Sequence, residues 1–192
     1  MTAIDLSTYA GLITLCLLTL NILLGLLLSV KYQPKKHSPY LHFNTFKIHN
    51  WTGYTALCVA GLHPILLLFS STAGFGIRDI LFPVWSPTQP LENTLGAAAF
   101  YLLAVVVITS YFRVKLGRKL WKSLHYLAYV TAALFFVHGL LTDPNLKNSP
   151  LDPFDAEKVL VEFCFLIVLV ASAFRIRYAF KKKKQAEEKI SL

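Results

Sequence analysis

The sequence predicts an all-α integral membrane protein, a single five-helix transmembrane bundle built from residues 1–192. Three observations predict it. Apolar residue types make up 55% of the chain, and mean hydropathy is +0.54. Only 15% of residues are charged, where a soluble domain carries about a quarter. The charges are unevenly distributed, and five stretches are long and apolar enough to cross a bilayer as helices. They fall at about 8–30, 48–70, 95–112, 122–142 and 159–176, with a basic tail at 177–192. Such a chain has room for one bundle and none for a sizeable soluble domain beside it.

The first stretch lacks a basic leading region and a small-residue cleavage site, and it runs into Lys31, Lys35 and Lys36, so it reads as a retained helix. The second carries His49 and His63, with a kink expected at Pro64. The connection at 71–94 sets Phe75, Phe82, Pro83 and Trp85 beside Arg78 and Asp79, the make-up of an interfacial segment that roofs a site. The connection at 143–157, with Pro144, Pro150 and Pro153 among acids, reads as irregular. Cys16, Cys58 and Cys164 lie far apart in apolar runs and read as small buried residues, with no disulfide framework or zinc site.

Orientation follows from the cations. Sixteen of the nineteen Lys and Arg lie in the first loop, the third loop and the tail, leaving Arg78, Lys147 and Lys158 on the other side. The positive-inside rule places the crowded side and the C-terminus in the cytoplasm and the N-terminus outside, as in a bacterial inner membrane. The net charge of +9 therefore belongs to membrane-flanking cations and lipid contact, not to nucleic-acid binding. The lysine run at 181–184 reads as a headgroup anchor.

Ionisable residues inside a span are costly and mark function. His49 and His125 stand near the starts of the second and fourth spans, and His63 and His138 stand further along the same two. One helix separates these spans, so both run outward from the cytoplasm. The spacings are 14 and 13 residues, about 21 and about 20 Å along a helix. The four histidines thus form an inner pair, His49 with His125, and an outer pair, His63 with His138. Separations near 20 Å exclude a dinuclear metal centre. Each pair suits a planar macrocycle held between two imidazoles, which points to two b-type haems stacked across the bilayer between the second and fourth helices. A 13-residue step leaves its two side chains about 140° apart, so the fourth helix must twist, bulge or cross obliquely. Gly53, Gly61 and Gly139 offer close approach to a porphyrin or simple helix packing. Arg78, Arg113 and Arg118 lie where haem propionates need cations, and Trp51, Trp121, Tyr126, Phe135 and Phe136 flank the pairs. His37 and His42, beside Tyr40, Phe43 and Phe46, read as interfacial residues.

The segments IHNWTGYTALCVAGLHP at 48–64 and RKLWKSLHYLAYVTAALFFVHGLL at 118–141 resemble the ferric reductase-like transmembrane domain, over roughly residues 45 to 180. That superfamily includes NADPH oxidases, ferric reductases and the haem subunit of the bacterial methionine sulfoxide reductase system. The resemblance implies that His49 and His125 bind the inner haem iron and His63 and His138 the outer. It implies electron flow from a cytoplasmic flavin to an acceptor outside: a ferric chelate, oxygen, a quinone or a periplasmic enzyme. Relatives usually have six spans and continue into a flavin and nucleotide domain. This sequence has five and ends about sixteen residues after the last, without a phosphate-cradling glycine loop. The expectation is the haem-containing membrane component of an oxidoreductase, with flavin supplied by a partner reductase or as a diffusible donor. A methionine sulfoxide reductase-type subunit and a structural or assembly subunit are the alternatives.

Overall fold

The first helix, α1 (Ala3–Ser29), begins on a capping box: the Thr2 hydroxyl accepts from Asp5 N at 3.1 Å, and Thr2 N donates to the Asp5 carboxylate at 2.7 Å. At 27 residues it is about 40 Å long. The structure, a computed structural model, describes residues 1–30, 44–143, 146, 152 and 154–188. His37, His42, Lys31, Lys35 and Lys36 lie outside the described residues, as do Pro144, Lys147, Pro150, Pro153 and Lys189.

The Asn44 side chain caps α2 (Thr45–Leu67) by accepting from Lys47 N at 3.1 Å, and the helix continues through Pro64 to Leu67. A short helix, α3 (Ile77–Leu81), and a 3-10 turn at Pro83–Trp85 make the connection to α4 (Pro90–Tyr111). Pro90 starts α4 because the first helical N–H needs no intrahelical partner. The next span is in two pieces, α6 (Arg118–His125) and α7 (Leu127–Leu141), after the short α5 (Arg113–Leu116) and a left-handed Gly117 at φ 76°. Helix α8 (Ala156–Glu188) takes in most of the expected basic tail as continuous helix. Among the described residues there is no strand.

Among the described residues four segments are long and apolar enough to cross a membrane: Ala3–Ser29, Pro90–Tyr111, Arg118–Leu141 and Ala156–Gln185. The protein is an integral membrane protein. Helix α2 has the length but not the composition, since Lys47, His49, Asn50, Thr52 and His63 dilute its apolar residues. The outer surface fits a lipid solvent. Ile13, Phe163, Leu166 and Leu169 are all exposed, a coat that would aggregate in water. Cys164 is buried, but Cys16 and Cys58 lie on this surface, because a small apolar side chain is as well solvated by lipid as by the core.

Helix α1 packs chiefly on α2, and α4 on α7. At the bundle centre Leu18, Ala56, Ala60 and Leu103 form one cluster, and Leu15, Phe136, Val161 and Cys164 form another towards α8. Two links fasten the ends. Buried Gln89 donates to Asp143 O at 3.0 Å and accepts from Asp143 N at 2.9 Å, tying the start of α4 to the end of α7. At the other end Arg175 Nε donates to Ser29 Oγ at 2.9 Å, and Arg113 sits 4.6 Å over the Phe46 ring. Gln89→Ala would remove the acceptor of Asp143 N in a half-buried position and one of two donors to Asp143 O, which also accepts from Leu146 N at 3.0 Å. It is expected to lower unfolding free energy by about 1–3 kcal/mol, read as a lower midpoint in thermal unfolding in detergent.

Candidate functional site

The four span histidines meet as the two pairs their depths require. The His49 and His125 ring centres are 6.3 Å apart with planes at 72°. Those of His63 and His138 are also 6.3 Å apart, at 68°. The obstacle of the 13-residue step is removed by the interruption at Tyr126, between α6 and α7. There Tyr126 N is shared between Lys122 O at 3.2 Å and Ser123 O at 3.3 Å, and Tyr129 N bonds Tyr126 O, three residues back, at 3.1 Å. These three-residue bonds overwind the helix, supplying part of the missing rotation, and the break supplies a change of direction.

Every ring is oriented from behind, through Nδ1. His49 Nδ1 is 3.0 Å from Asn21 O, His63 Nδ1 is 2.7 Å from Ser7 O, and His138 Nδ1 is 2.8 Å from Glu92 O. A carbonyl only accepts, so in these three Nδ1 carries the hydrogen and Nε2 keeps its lone pair. Two hydroxyls reinforce the outer pair. Ser7 Oγ donates to His63 O at 2.8 Å and Thr142 Oγ1 donates to His138 O at 2.8 Å, each leaving a lone pair 3.1 Å from the neighbouring Nδ1. His125 differs, because its Nδ1 lies 3.1 Å from the hydroxyl of Ser110, which also accepts from Trp121 Nε1 at 3.3 Å. The Trp121 ring stands 5.3 Å from the His125 ring.

Three of the seats share one pattern. Four residues beyond each accepting carbonyl stands a glycine: Gly11 after Ser7, Gly25 after Asn21, and Gly96 after Glu92. A Cβ at these positions would approach the ring Cε1 of His63, His49 and His138 to 3.2, 3.3 and 2.7 Å. In the fourth seat Ser110 takes the glycine's place and its hydroxyl replaces the carbonyl. The repeat of 14 residues from Gly11 to Gly25 and from Gly96 to Ser110 equals that from His49 to His63. That repeat was the sequence signal for these residues, and the histidines alone did not reveal it. Gly53, Gly61 and Gly139 instead pack helices, facing Asn21, Phe100 and Val161.

The flanking residues sort as follows. Trp51 packs on Tyr54 and Tyr126 on Tyr129, while Phe136 is buried against Phe165. Arg78 lies 5.2 Å over the Trp85 ring, within the connection between α2 and α4. That connection does form a roof: Phe75, Ile80 and Pro83 line a cavity of about 300 Å³ with His63, Phe135 and His138. Among the described residues no group of three or more His, Cys, Asp or Glu is placed to hold a bare metal ion.

The sequence matches the family model described as "Ferric reductase like transmembrane component" over residues 10–136, a stretch that holds His49, His63 and His125 and stops just short of His138. The match takes in most of α1, the helix that seats the α2 histidines. No curated protein and no solved structure matches the chain.

The glycine seats make a graded prediction. Gly96→Ala drives a methyl into the His138 ring and is expected to cost about 1–3 kcal/mol by overpacking. Gly61→Ala meets Phe100 at an ordinary 3.4 Å and gains helix propensity, so it is expected to be neutral or stabilising by up to about 1 kcal/mol. Thermal unfolding of the two variants side by side checks the ranking, and equal losses would refute it.

Proposed function

Because the chain belongs to the ferric reductase-like transmembrane family, whose members move electrons across membranes, we propose that it is an electron conduit carrying two bis-histidine b-type haems. The inner haem is held by His49 and His125 and the outer by His63 and His138. Helix α2 serves as the fifth membrane span. Electrons pass from a cytoplasmic flavin donor to an acceptor on the outer side, with the C-terminal ends of α1, α4 and α8 in the cytoplasm.

The observation that carries this reading is the spacing within each pair. Two imidazoles that would hold one metal between them, at about 2.0 Å per metal–nitrogen bond plus about 1.15 Å from nitrogen to ring centre, would have ring centres about 6.3 Å apart. Both pairs stand at 6.3 Å. The donor set agrees. Two neutral nitrogens per site are too few for a bare ion, and they suit a metal whose other four ligands come from a macrocycle. Bound haem supplies a one-electron carrier with no open position at the iron. The chain's own part is to aim Nε2 by tying down Nδ1, and to clear space with Gly11, Gly25 and Gly96. The apolar cluster of Leu18, Ala56, Ala60 and Leu103 keeps water from between the two sites.

Purified protein reduced with dithionite is expected to show a low-spin b-type spectrum at two haems per chain. His63→Ala and His49→Ala should each retain one. A chain that binds no haem, or variants that keep both, would sink the proposal. Orientation is checked by single cysteines in a background lacking the native three. Exposed Ser71, replaced as Ser71→Cys, should react with an impermeant maleimide from outside and Lys122→Cys only after permeabilisation. The reverse pattern would invert the topology.

A further inference from the structure

Lys158 stands three residues into α8 and is only 5% exposed, the one buried Lys, Arg, Asp or Glu among the described residues. Its position is unfavourable on two counts. A cation in the first turn of a helix opposes the helix dipole, and burying an ammonium forfeits its hydration. The compensation comes from another helix: Nζ donates to Gly139 O at 2.9 Å and to Thr142 O, carbonyls at the C-terminal end of α7 where a cation is welcome. Gly139 follows His138 directly, and Thr142 bonds the His138 ring and carbonyl. Lys158 also lines the same cavity as His63 and His138, and it is close enough to act electrostatically on His138.

A methionine would pack α8 on α7 without the cost of burying a charge, and a neutral amide would still serve the α7 carbonyls, so neither packing nor hydrogen bonding by itself calls for a charge here. A fixed positive charge beside a redox centre does something that packing cannot. It favours the form holding one more electron. Asp143, Asp155 and Glu157 also act on Lys158, but Asp155 and Glu157 are more exposed than the buried ammonium and are screened more strongly. Among the described residues no buried charged side chain stands at the inner pair, where Trp121 and Ser110 surround His125.

We infer that Lys158 is a positioning residue for the outer site: it fixes the last turn of α7 behind His138, and its charge raises the reduction potential of the outer haem above the inner. This makes the outward electron step downhill. The inference rests on the haem reading of the two pairs.

The test is a mediated reductive titration of the full-length, haem-loaded protein, with His138→Ala and His125→Ala assigning the outer and inner signals. Lys158→Gln keeps a donor for the α7 carbonyls and removes the charge. Lys158→Met keeps the length and removes both. Lys158→Arg keeps the charge. Each neutral variant that retains two haems is expected to show a lowered outer midpoint, an unchanged inner midpoint, and an unchanged spectrum from the inner site. Lys158→Arg should stay close to the parent. An unmoved outer midpoint in a neutral variant overturns the inference, as does an equal shift of both haems or an arginine variant that shifts as far as glutamine. Loss of the outer haem from both neutral variants, with retention in Lys158→Arg, also overturns it, since the residue would then be an anchor and not a tuner. A parent protein that binds no haem fails at the earlier step, so the two failures are distinguishable.

Discussion

A neutral imidazole has one N–H and one lone pair, and inside a membrane neither can be left to water. Whichever nitrogen is tied down decides which one is offered to the interior. In this protein the tie is made at Nδ1, by backbone carbonyls of α1 and α4 in three cases and by the Ser110 hydroxyl in the fourth. Much of the architecture follows from that requirement. A carbonyl in the middle of an α-helix is already bonded along the helix, so the ring has to approach closely and share it. Close approach demands that the side chain one turn further on be absent, and Gly11, Gly25 and Gly96 meet that demand.

The bundle is therefore best understood as two seat-and-ligand couples. Helix α1 seats the two histidines of α2, and α4 seats those of α6 and α7. These are the principal packing pairs of the long helices. Gln89 at one end and the contacts of Arg175 and Arg113 at the other keep the helices from sliding lengthwise. Lengthwise sliding is the motion that would separate a ring from its carbonyl, because a one-residue slip displaces a partner by about 1.5 Å. Helix α2 can lack the long apolar stretch of the other spans because its polar groups are turned to α1. Asn21 donates to His49 O and to Thr52 Oγ1, and Ser7 donates to His63 O.

The sequence made the bundle legible through composition, and the histidine pairs through helix order and spacing. Apolar runs need only a count, and depth along a helix is linear in residue number. It also gave correct warning of a distortion in the fourth span. The distortion's form, a break at Tyr126, depends on local bonds that no periodicity encodes. The glycines that seat the rings were overlooked for a physical reason. Gly53, Gly61 and Gly139 lie near histidines in sequence and so drew attention, but they face Asn21, Phe100 and Val161 and not a ring. The glycines that matter lie across an interface, on α1 and α4, and proximity in sequence carries no information about them. Only the shared 14-residue interval does. The start of α4 at Pro90 was missed because Gln89 and the polar residues after it lower the local hydropathy, although a proline at the first helical position was there to be used.

The exception at Ser110 and the shortened spacing on the fourth span belong together. With histidines 14 residues apart, two seats 14 apart on an antiparallel neighbour stay in step, which is the arrangement between α1 and α2. His125 is one residue nearer His138 than that rule requires, so its ring falls out of step with the carbonyl of Val106, where the repeat would place the seat. A side chain on a helix leans towards the N-terminus, so the hydroxyl of Ser110 hangs back over the turn that the carbonyl serves. It reaches the displaced ring where a glycine would leave Nδ1 unbonded. Trp121 then completes the hydroxyl's bonding and lies against the ring from the inner end. The pair keeps the same 6.3 Å separation as its outer counterpart, so a changed spacing in one helix is absorbed by a single added hydroxyl in the next.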